Sequence, residues 1–275
     1  MINPISITEK LLFSTVRLKT KTGSGTGFFF NFKIEDKAVP VIITNKHVVN
    51  NNSSESVNFL LHIGKDGKPI DENISIDYNA NWLFHPSLDL CFCFVNPIFD
   101  QQKKDFNKDI FYIPITEDLI LDSVKLEELE AAEEVLMIGS PIGLWDEKNN
   151  LPLIRKGITS SHPALDFNKE SIGVMDLSVF PGSSGSPIFL INTNGYKDKK
   201  GTTHLGASRI VFLGILFGGP VLNKKGDIII QEIPMQKAPF SLTELMINLG
   251  YYIKAKEVFI LKEMVKDFIN KQNGN

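Results

Sequence analysis

A serine that attacks a carbonyl needs a tight turn that exposes its hydroxyl, a base beside it and an acceptor behind the base. The stretch FPGSSGSP, Phe180 to Pro187, meets the first requirement. Its glycines permit a sharp backbone turn around Ser184, and the N–H groups of such a turn can hold a developing oxyanion. The same residues also suit an ordinary polar loop, because Gly, Ser and Pro favour turns. The base must come from His47, His62, His85, His162 or His204. His47 stands at the end of PVIITNKHVV, anchored by apolar residues on both sides. His85 and His162 each precede a proline and read as turn residues, His62 alternates inside a strand, and His204 lies in a polar loop. Two carboxylates could serve as acceptor. Asp89 interrupts the apolar run LDLCFCFV and Asp176 interrupts VMDLSV. A carboxylate in such a strand is costly unless it is paired or faces solvent.

The elements that must position these residues are mostly strands. Predicted strands cover Phe13–Lys19, Gly27–Phe32, Pro40–Thr44, Val57–Ile63 and Leu88–Val95, with turns at Asn50–Ser56 and Lys65–Pro69. Such close spacing argues for a barrel or sandwich. Residues Phe99 to Glu134 differ: QQKKDFNKD reads as an exposed connection, and Val124–Glu134 has helical composition. A second set of strands follows, over Val135–Ile138, Ile154–Ser160, Ser171–Val179, Pro187–Ile191, Ile210–Leu216 and Asp227–Ile230. Asn192–Gly201 and Asn223–Asp227 read as hairpin tips. From Ala255 to Asn270 the apolar residues fall near a 3.6 period, which predicts an amphipathic helix. His47 and Asp89 thus fall in the first β-rich half and Ser184 in the second. The order His, Asp, Ser is one of three convergent solutions for a triad, the one used by the chymotrypsin-like double barrel.

Composition narrows the class. The 275 residues are 43% apolar and 22% charged, with a formal net charge of −3, so bulk charge favours neither nucleic acid nor anionic lipid. Cys91 and Cys93, two apart in a strand, share a face and cannot easily bridge; they read as core thiols rather than metal ligands. GSGTG, from Gly23, lacks the GxxxxGK[ST] pattern of a phosphate loop. Glu9 and Lys10 interrupt any N-terminal apolar stretch. The run from Ile210 to Val221 is shorter than the roughly 18–20 residues that cross a bilayer. The expectation is a soluble, cytoplasmic chain without metal or other cofactor.

Several blocks together resemble a trypsin-like peptidase of the chymotrypsin fold, nearest to bacterial disulfide-free forms such as the high-temperature-requirement proteases. GSGTGFFF is similar to the family's Gly-rich second strand, ITNKHVV to its histidine motif, HPSLDLCFCFV to its aspartate motif and PGSSGSP to its GxSGxP serine motif. VLMIGSPIG resembles the opening of the second barrel, VFLGILFGG the strand lining the primary specificity pocket, and INLGYYIKA the end of the domain. The resemblance implies an all-β fold of two Greek-key antiparallel β-barrels packed face to face, with a C-terminal α-helix. An N-terminal barrel over 1–105 would carry His47 and Asp89, a linker would cover 106–134, a second barrel over 135–250 would carry Ser184, and helix and tail would fill 251–275.

It further implies a serine endopeptidase acting on polypeptides through an acyl-enzyme. Ser184 would be the nucleophile, His47 the base and Asp89 its orienter, and the backbone N–H groups of Gly182 and Ser184 the oxyanion hole. Ser178, Phe217, Gly218 and Gly219 would line the primary pocket. Ser183 stands where secreted relatives use an aspartate for zymogen activation, so activation through a protein partner or a conformational change is expected instead. Ser178 stands where an acid would select Arg or Lys, so that preference is not expected. The competing readings are a catalytically dormant protease-fold binding protein and a hydrolase of small esters.

Overall fold

The aromatic and β-branched residues of FFFNF and PVIIT give the first sheet its centre, because such side chains pack well on a pleated surface. The computed structural model describes residues 1–141, 144–227, 240–246 and 248–274. Its first sheet contains β1 (Thr15–Lys19), β2 (Ser24–Ile34), β3 (Lys37–Thr44), β4 (Ser56–Lys65), β5 (Lys68–Asn79), β6 (Leu83–Phe84) and β7 (Cys91–Phe94). They lie in the order β5-β4-β1-β2-β3-β7-β6. Two short strands from the connecting segment join it: β8 (Asp109–Phe111) beside β4, and β9 (Ile115–Thr116) parallel to β2.

The second unit is a closed barrel. Its ring is β10 (Glu134–Gly139), β11 (Leu153–Thr159), β12 (Ile172–Asp176), β19 (Leu249–Lys254), β16 (Arg209–Gly218) and β13 (Pro187–Asn192). Two hairpins leave this ring, β14 (Gly195–Lys197) with β15 (Thr203–Leu205), and β17 (Val221–Asp227) with β18 (Phe240–Met246). The fold is therefore the expected all-β, chymotrypsin-like one: a six-stranded barrel, a second sheet and a C-terminal helix. The first sheet does not close into a ring among the described residues.

Helices frame the two units. Helix α1 (Ile7–Leu12) opens with a capping box in which Ser6 and Glu9 bond each other's backbone amides. Helix α2 (Asn96–Phe106) occupies the stretch expected as an exposed connection. A proline in its first turn suits a helix start, and only Ile98 and Gln102 are buried, so its sequence is almost as polar as a loop. Helix α3 is shorter than its composition suggested, covering Ser123–Glu127. After a 3₁₀ turn over Ala255–Glu257, helix α4 (Val258–Asn273) buries Val258, Leu261 and Val265. Asn223–Asp227, expected as a hairpin tip, lies inside β17, and the part of the expected strand at 228–230 lies outside the described residues.

One apolar cluster joins both units and helix α4. Phe28 and Phe30 of β2 share it with Phe189 of β13, Phe212 of β16, and Val258 and Leu261 of α4. The Phe28 and Phe212 rings stand edge to face, 5.5 Å between centroids. Each such buried phenylalanine contributes roughly 2–3 kcal/mol relative to exposure. Cys91 and Cys93 are free and buried in a second cluster that belongs to the first sheet.

His62 lies in β4 as expected, but it is buried, and its ring packs edge-on against Phe13 at 4.9 Å. Burial pushes its pKa down to about 4, against the opposing pull of the Asn150 backbone and the Asn73 side chain. Below the unfolded value of about 6.5 the unfolded chain takes up a proton that the folded chain refuses. Stability is therefore expected to fall as pH drops from about 6.5 to about 4, by about 3 kcal/mol from this residue. Thermal midpoints across that range should fall less steeply for His62→Leu than for the parent chain. Equal slopes would show that His62 does not set the acid limit.

Candidate active site

Strand β3 ends in the buried run Val41–Thr44, which delivers His47 to a fixed place. A 3₁₀ turn over His47–Val49 follows. Val48 and Val49 point into the core, and Asn50 ends the turn in the left-handed conformation at φ 55°. The His47 ring is left 41% exposed, facing outward beside Asp89. Asp89 contacts it twice. The carboxylate Oδ1 accepts the His47 backbone N–H at 3.1 Å, and Oδ2 lies 2.5 Å from ring Nδ1. Since a carboxylate only accepts, this contact places the ring proton on Nδ1 and leaves Nε2 as an acceptor. Burial works to raise the Asp89 pKa, but the hydrogen bonds from the His47 ring and from the backbone of His47 and Lys46 outweigh it. The carboxyl is held below its ordinary value and is ionised at neutral pH.

The sequence had placed Asp89 inside a strand. It lies instead in a bend, and β7 begins only at Cys91, so the carboxylate is free to turn back toward β3. Two residues hold that bend. Buried Asn45 donates its side-chain N–H to the Asp89 carbonyl at 2.7 Å. His85, expected as an ordinary turn residue, is buried, and its Nδ1 accepts the backbone N–H groups of Ser87 and Leu88 at 3.3 and 3.0 Å. Its Nε2 faces Glu257, ahead of helix α4, at 3.3 Å. Burial lowers the His85 pKa, with Glu257 pulling against it, which favours the neutral ring this capping requires. The only sequence signal for His85 was its place four residues before Asp89. The rival acceptor, Asp176, is exposed at the end of β12 and pairs with Ile158 and Leu249.

The serine stretch forms two consecutive turns. Ser183 N–H donates to the Phe180 carbonyl at 3.0 Å, with Gly182 at φ 90°, and Ser186 N–H donates to the Ser183 carbonyl at 3.0 Å, with Gly185 at φ 85°. A positive φ at the third residue is the mark of a type II turn, and Pro181 supplies the favoured second residue of the first one. Ser183 and Ser186 are buried, while Ser184, at the second place of the second turn, is half-buried. The exit is fastened to β16, with Gly185 N–H donating to the Leu216 carbonyl and Leu216 N–H to the Ser186 carbonyl. Among the described residues, the amide N–H groups of Gly182 and Ser184 have no hydrogen-bond partner.

Gly185 admits no side chain. A Cβ there would lie 1.9 Å from the Thr26 carbonyl oxygen, and φ 85° is strained for any L-residue. Gly185→Ala is expected to destabilise the fold by roughly 2–4 kcal/mol and to displace the serine turn. Thermal unfolding would check this, and a midpoint equal to the parent's would contradict it.

The serine turn lies against the strands that lead to His47. The Thr26 N–H of β2 donates to the Ser184 carbonyl at 2.9 Å, and the Thr44 hydroxyl, three residues before His47, donates to the Thr26 carbonyl at 2.7 Å. Among the described residues no hydrogen bond joins the Ser184 hydroxyl directly to His47.

Of the residues expected to line the primary pocket, Ser178 donates its hydroxyl to Asn248 Oδ1 at 2.7 Å. Asn248, which the sequence did not single out, is in the left-handed region at φ 45° and presents an uncharged amide. Among the described residues nothing lies near a Cβ built on Gly218, whereas a Cβ on Gly219 would strike the Leu249 carbonyl and Val179. Phe217 stacks on Tyr251 at 6.3 Å. Pairing of β16 with β13 stops at Ile215, so beyond it β16 has only β19 as a strand neighbour among the described residues. The remaining histidines have local partners: His162 accepts the Ala164 N–H, and His204 pairs with Asp198. Among the described residues no cluster of His, Cys, Asp or Glu suits a metal ion, and no helix is long and apolar enough to cross a membrane.

A search of curated proteins gave no match. Solved structures similar to the chain include Rv3671c from M. tuberculosis in an inactive form, at 15% identity and TM-score 0.42, covering 94% of this chain and 93% of that one. Another is the thermostable serine protease AL20 from an extremophilic microorganism, at 12% identity and TM-score 0.45, with 93% and 98% covered. A third is the scabies mite inactivated protease paralogue S-I1, at 12% identity and TM-score 0.43, with 95% and 97% covered. The model of the trypsin-like peptidase domain matches residues 25–195, a stretch that holds His47, Asp89 and Ser184. With well over half of its length matched, the chain belongs to the trypsin-like peptidase family of serine peptidases.

Proposed function

We propose that the protein is a serine endopeptidase that cleaves polypeptides through an acyl-enzyme on Ser184. His47 Nε2 takes the Ser184 hydroxyl proton as the oxygen attacks the scissile carbonyl. The negative charge that develops on the carbonyl oxygen is held by the N–H groups of Gly182 and Ser184. Collapse of the tetrahedral intermediate breaks the C–N bond, and His47 returns the proton to the leaving amine. Water then repeats the sequence: it gives a proton to His47, attacks the ester, and releases the new carboxyl end as Ser184 recovers its proton. Asp89 holds the tautomer that can accept the first proton and stabilises the imidazolium that follows.

The observation that carries this reading is the pair of unpartnered amides at Gly182 and Ser184. Both residues are half-buried, so their N–H groups remain available to an incoming carbonyl oxygen. Amides left available in this way favour a working site over the dormant binding protein. The Ser184 hydroxyl would reach His47 Nε2 as a substrate binds, since catalytic hydrogen bonds commonly tighten in the complex. The side of β16 beyond Leu216, whose N–H and carbonyl are taken by the serine turn, suits an extended peptide added as a strand, which favours polypeptides over small esters. The uncharged Ser178–Asn248 pair favours a neutral side chain in the primary pocket.

The test is to treat the isolated protein with a fluorophosphonate and locate the adduct by mass spectrometry, alongside a peptide-library digest. An adduct on Ser184 with internal peptide cleavage is expected. An adduct elsewhere, or an unreactive protein, would refute the proposal.

A further inference from the structure

The glycines and the threonine of GSGTG point to different sides of β2. A Cβ on Gly25 would collide with Val48, and one on Gly27 would come within 2.9 Å of Ile42, so both glycines allow close packing inside the first sheet. Thr26, between them, turns its side chain the other way, as strand alternation requires, and meets the second barrel. It is 1% exposed.

Its hydroxyl donates to the Gly182 carbonyl at 3.1 Å, across a sequence separation of 156 residues, and accepts the N–H of Ser140, just past β10, at 3.1 Å. Its backbone N–H donates to the Ser184 carbonyl at 2.9 Å, and its own carbonyl accepts the Thr44 hydroxyl at 2.7 Å. Thr26 therefore binds the carbonyls of both residues whose amides are unpartnered. Strand β10 packs closely on this hydroxyl, since a Cβ on Gly139 would lie 2.9 Å from its oxygen. The site demands a group that donates and accepts at once, which a hydroxyl can do and an alkyl group cannot.

We infer that Thr26 is a positioning residue for the proposed peptidase reaction. Its hydroxyl holds the Gly182 carbonyl and its backbone N–H the Ser184 carbonyl, which fixes the turn between the two oxyanion-binding amides relative to the strand that leads to His47. The inference rests on the proposed role of Ser184 and adds a residue outside the triad and the oxyanion hole.

The experiment compares Thr26→Val, which keeps the β-branched shape, with Thr26→Ser, which keeps the hydroxyl. Fluorophosphonate labelling rate, kcat and KM on a chromogenic peptide, and the rate of His47 alkylation are measured on protein shown to be folded by near-ultraviolet circular dichroism. Thr26→Val should lower kcat and the labelling rate by roughly 10²-fold, the scale of a catalytic group misplaced by about 1 Å. KM and His47 alkylation should stay near the parent's. Thr26→Ser should restore most of the rate. Thr26→Ala serves the same comparison if the valine variant does not fold. Parent-like kcat and labelling in folded Thr26→Val or Thr26→Ala would overturn the inference, as would equal losses in kcat and His47 alkylation. Labelling that survives Ser184→Ala would instead overturn the reading on which the inference rests.

Discussion

Ser184→Ala is expected to lower kcat by roughly 10⁴-fold or more and to abolish fluorophosphonate labelling, with the thermal midpoint almost unchanged. The size of the loss follows from covalent catalysis. Without the hydroxyl no acyl-enzyme forms, and water must attack the substrate directly with only the oxyanion-binding amides and His47 to assist. The small effect on stability follows from position. Ser184 is half-buried, and the contacts that hold its turn are made by the backbone and by glycine, not by its hydroxyl. The parent and the variant should be compared by progress curves on a chromogenic peptide at matched concentration. Labelling that persists in the variant, or a loss below tenfold, would show that another residue is the nucleophile.

Asp89→Asn should reduce kcat by a similar amount, about 10⁴-fold, while leaving the fold intact. The side chain meets two donors, the His47 backbone N–H at 3.1 Å and ring Nδ1 at 2.5 Å. An asparagine has one oxygen and one NH₂. If its oxygen keeps the backbone contact, its NH₂ faces Nδ1 and drives the ring proton to Nε2. Such a ring cannot take the proton of Ser184. Nitrogen-15 NMR of the imidazole would reveal the tautomer directly, and kcat at neutral pH would give the cost. Activity within tenfold of the parent's, with Nδ1 still protonated, would show that Asp89 does not direct His47. Substitution of Asp176, exposed on the far end of β12, should leave the rate nearly unchanged.

Much of this arrangement was legible before any coordinates. The strands carrying FFFNF and PVIIT, the second β set and the C-terminal helix declare themselves by alternation and by 3.6-residue spacing, because one face of each is buried. The serine turns were legible as well: Pro181 presets φ for the second place of a type II turn, and Gly182 and Gly185 suit its third place. Polar elements were harder. Helix α2 buries only two of its residues, so NPIFDQQKKDF lacks the apolar stripe that marks a helix. Strand β5, unassigned from the sequence beyond Pro69, alternates from Ile74 to Asn79 with Ser75, Asp77 and Asn79 exposed, but begins with the polar run Asp71–Asn73. The Lys-Lys-Gly stretch of β17 looks like a turn locally, while its pairing with β18 makes it a strand.

The choice between Asp89 and Asp176 lay beyond local signals, since both carboxylates sit among apolar residues. So did the capping role of His85, the Ser178–Asn248 pair and the reach of Thr26 to Gly182. Turn shape and strand phase depend on residues within a few positions, whose steric and burial preferences are written along the chain. Which atoms meet across 42 residues, as for His47 and Asp89, or across 156, as for Thr26 and Gly182, depends on the register of two sheets and the way their cores interlock. A single-residue slip of β2 would turn Thr26 to the opposite face, and a slip of β3 would move the turn that carries His47, so only the tertiary packing could decide these contacts.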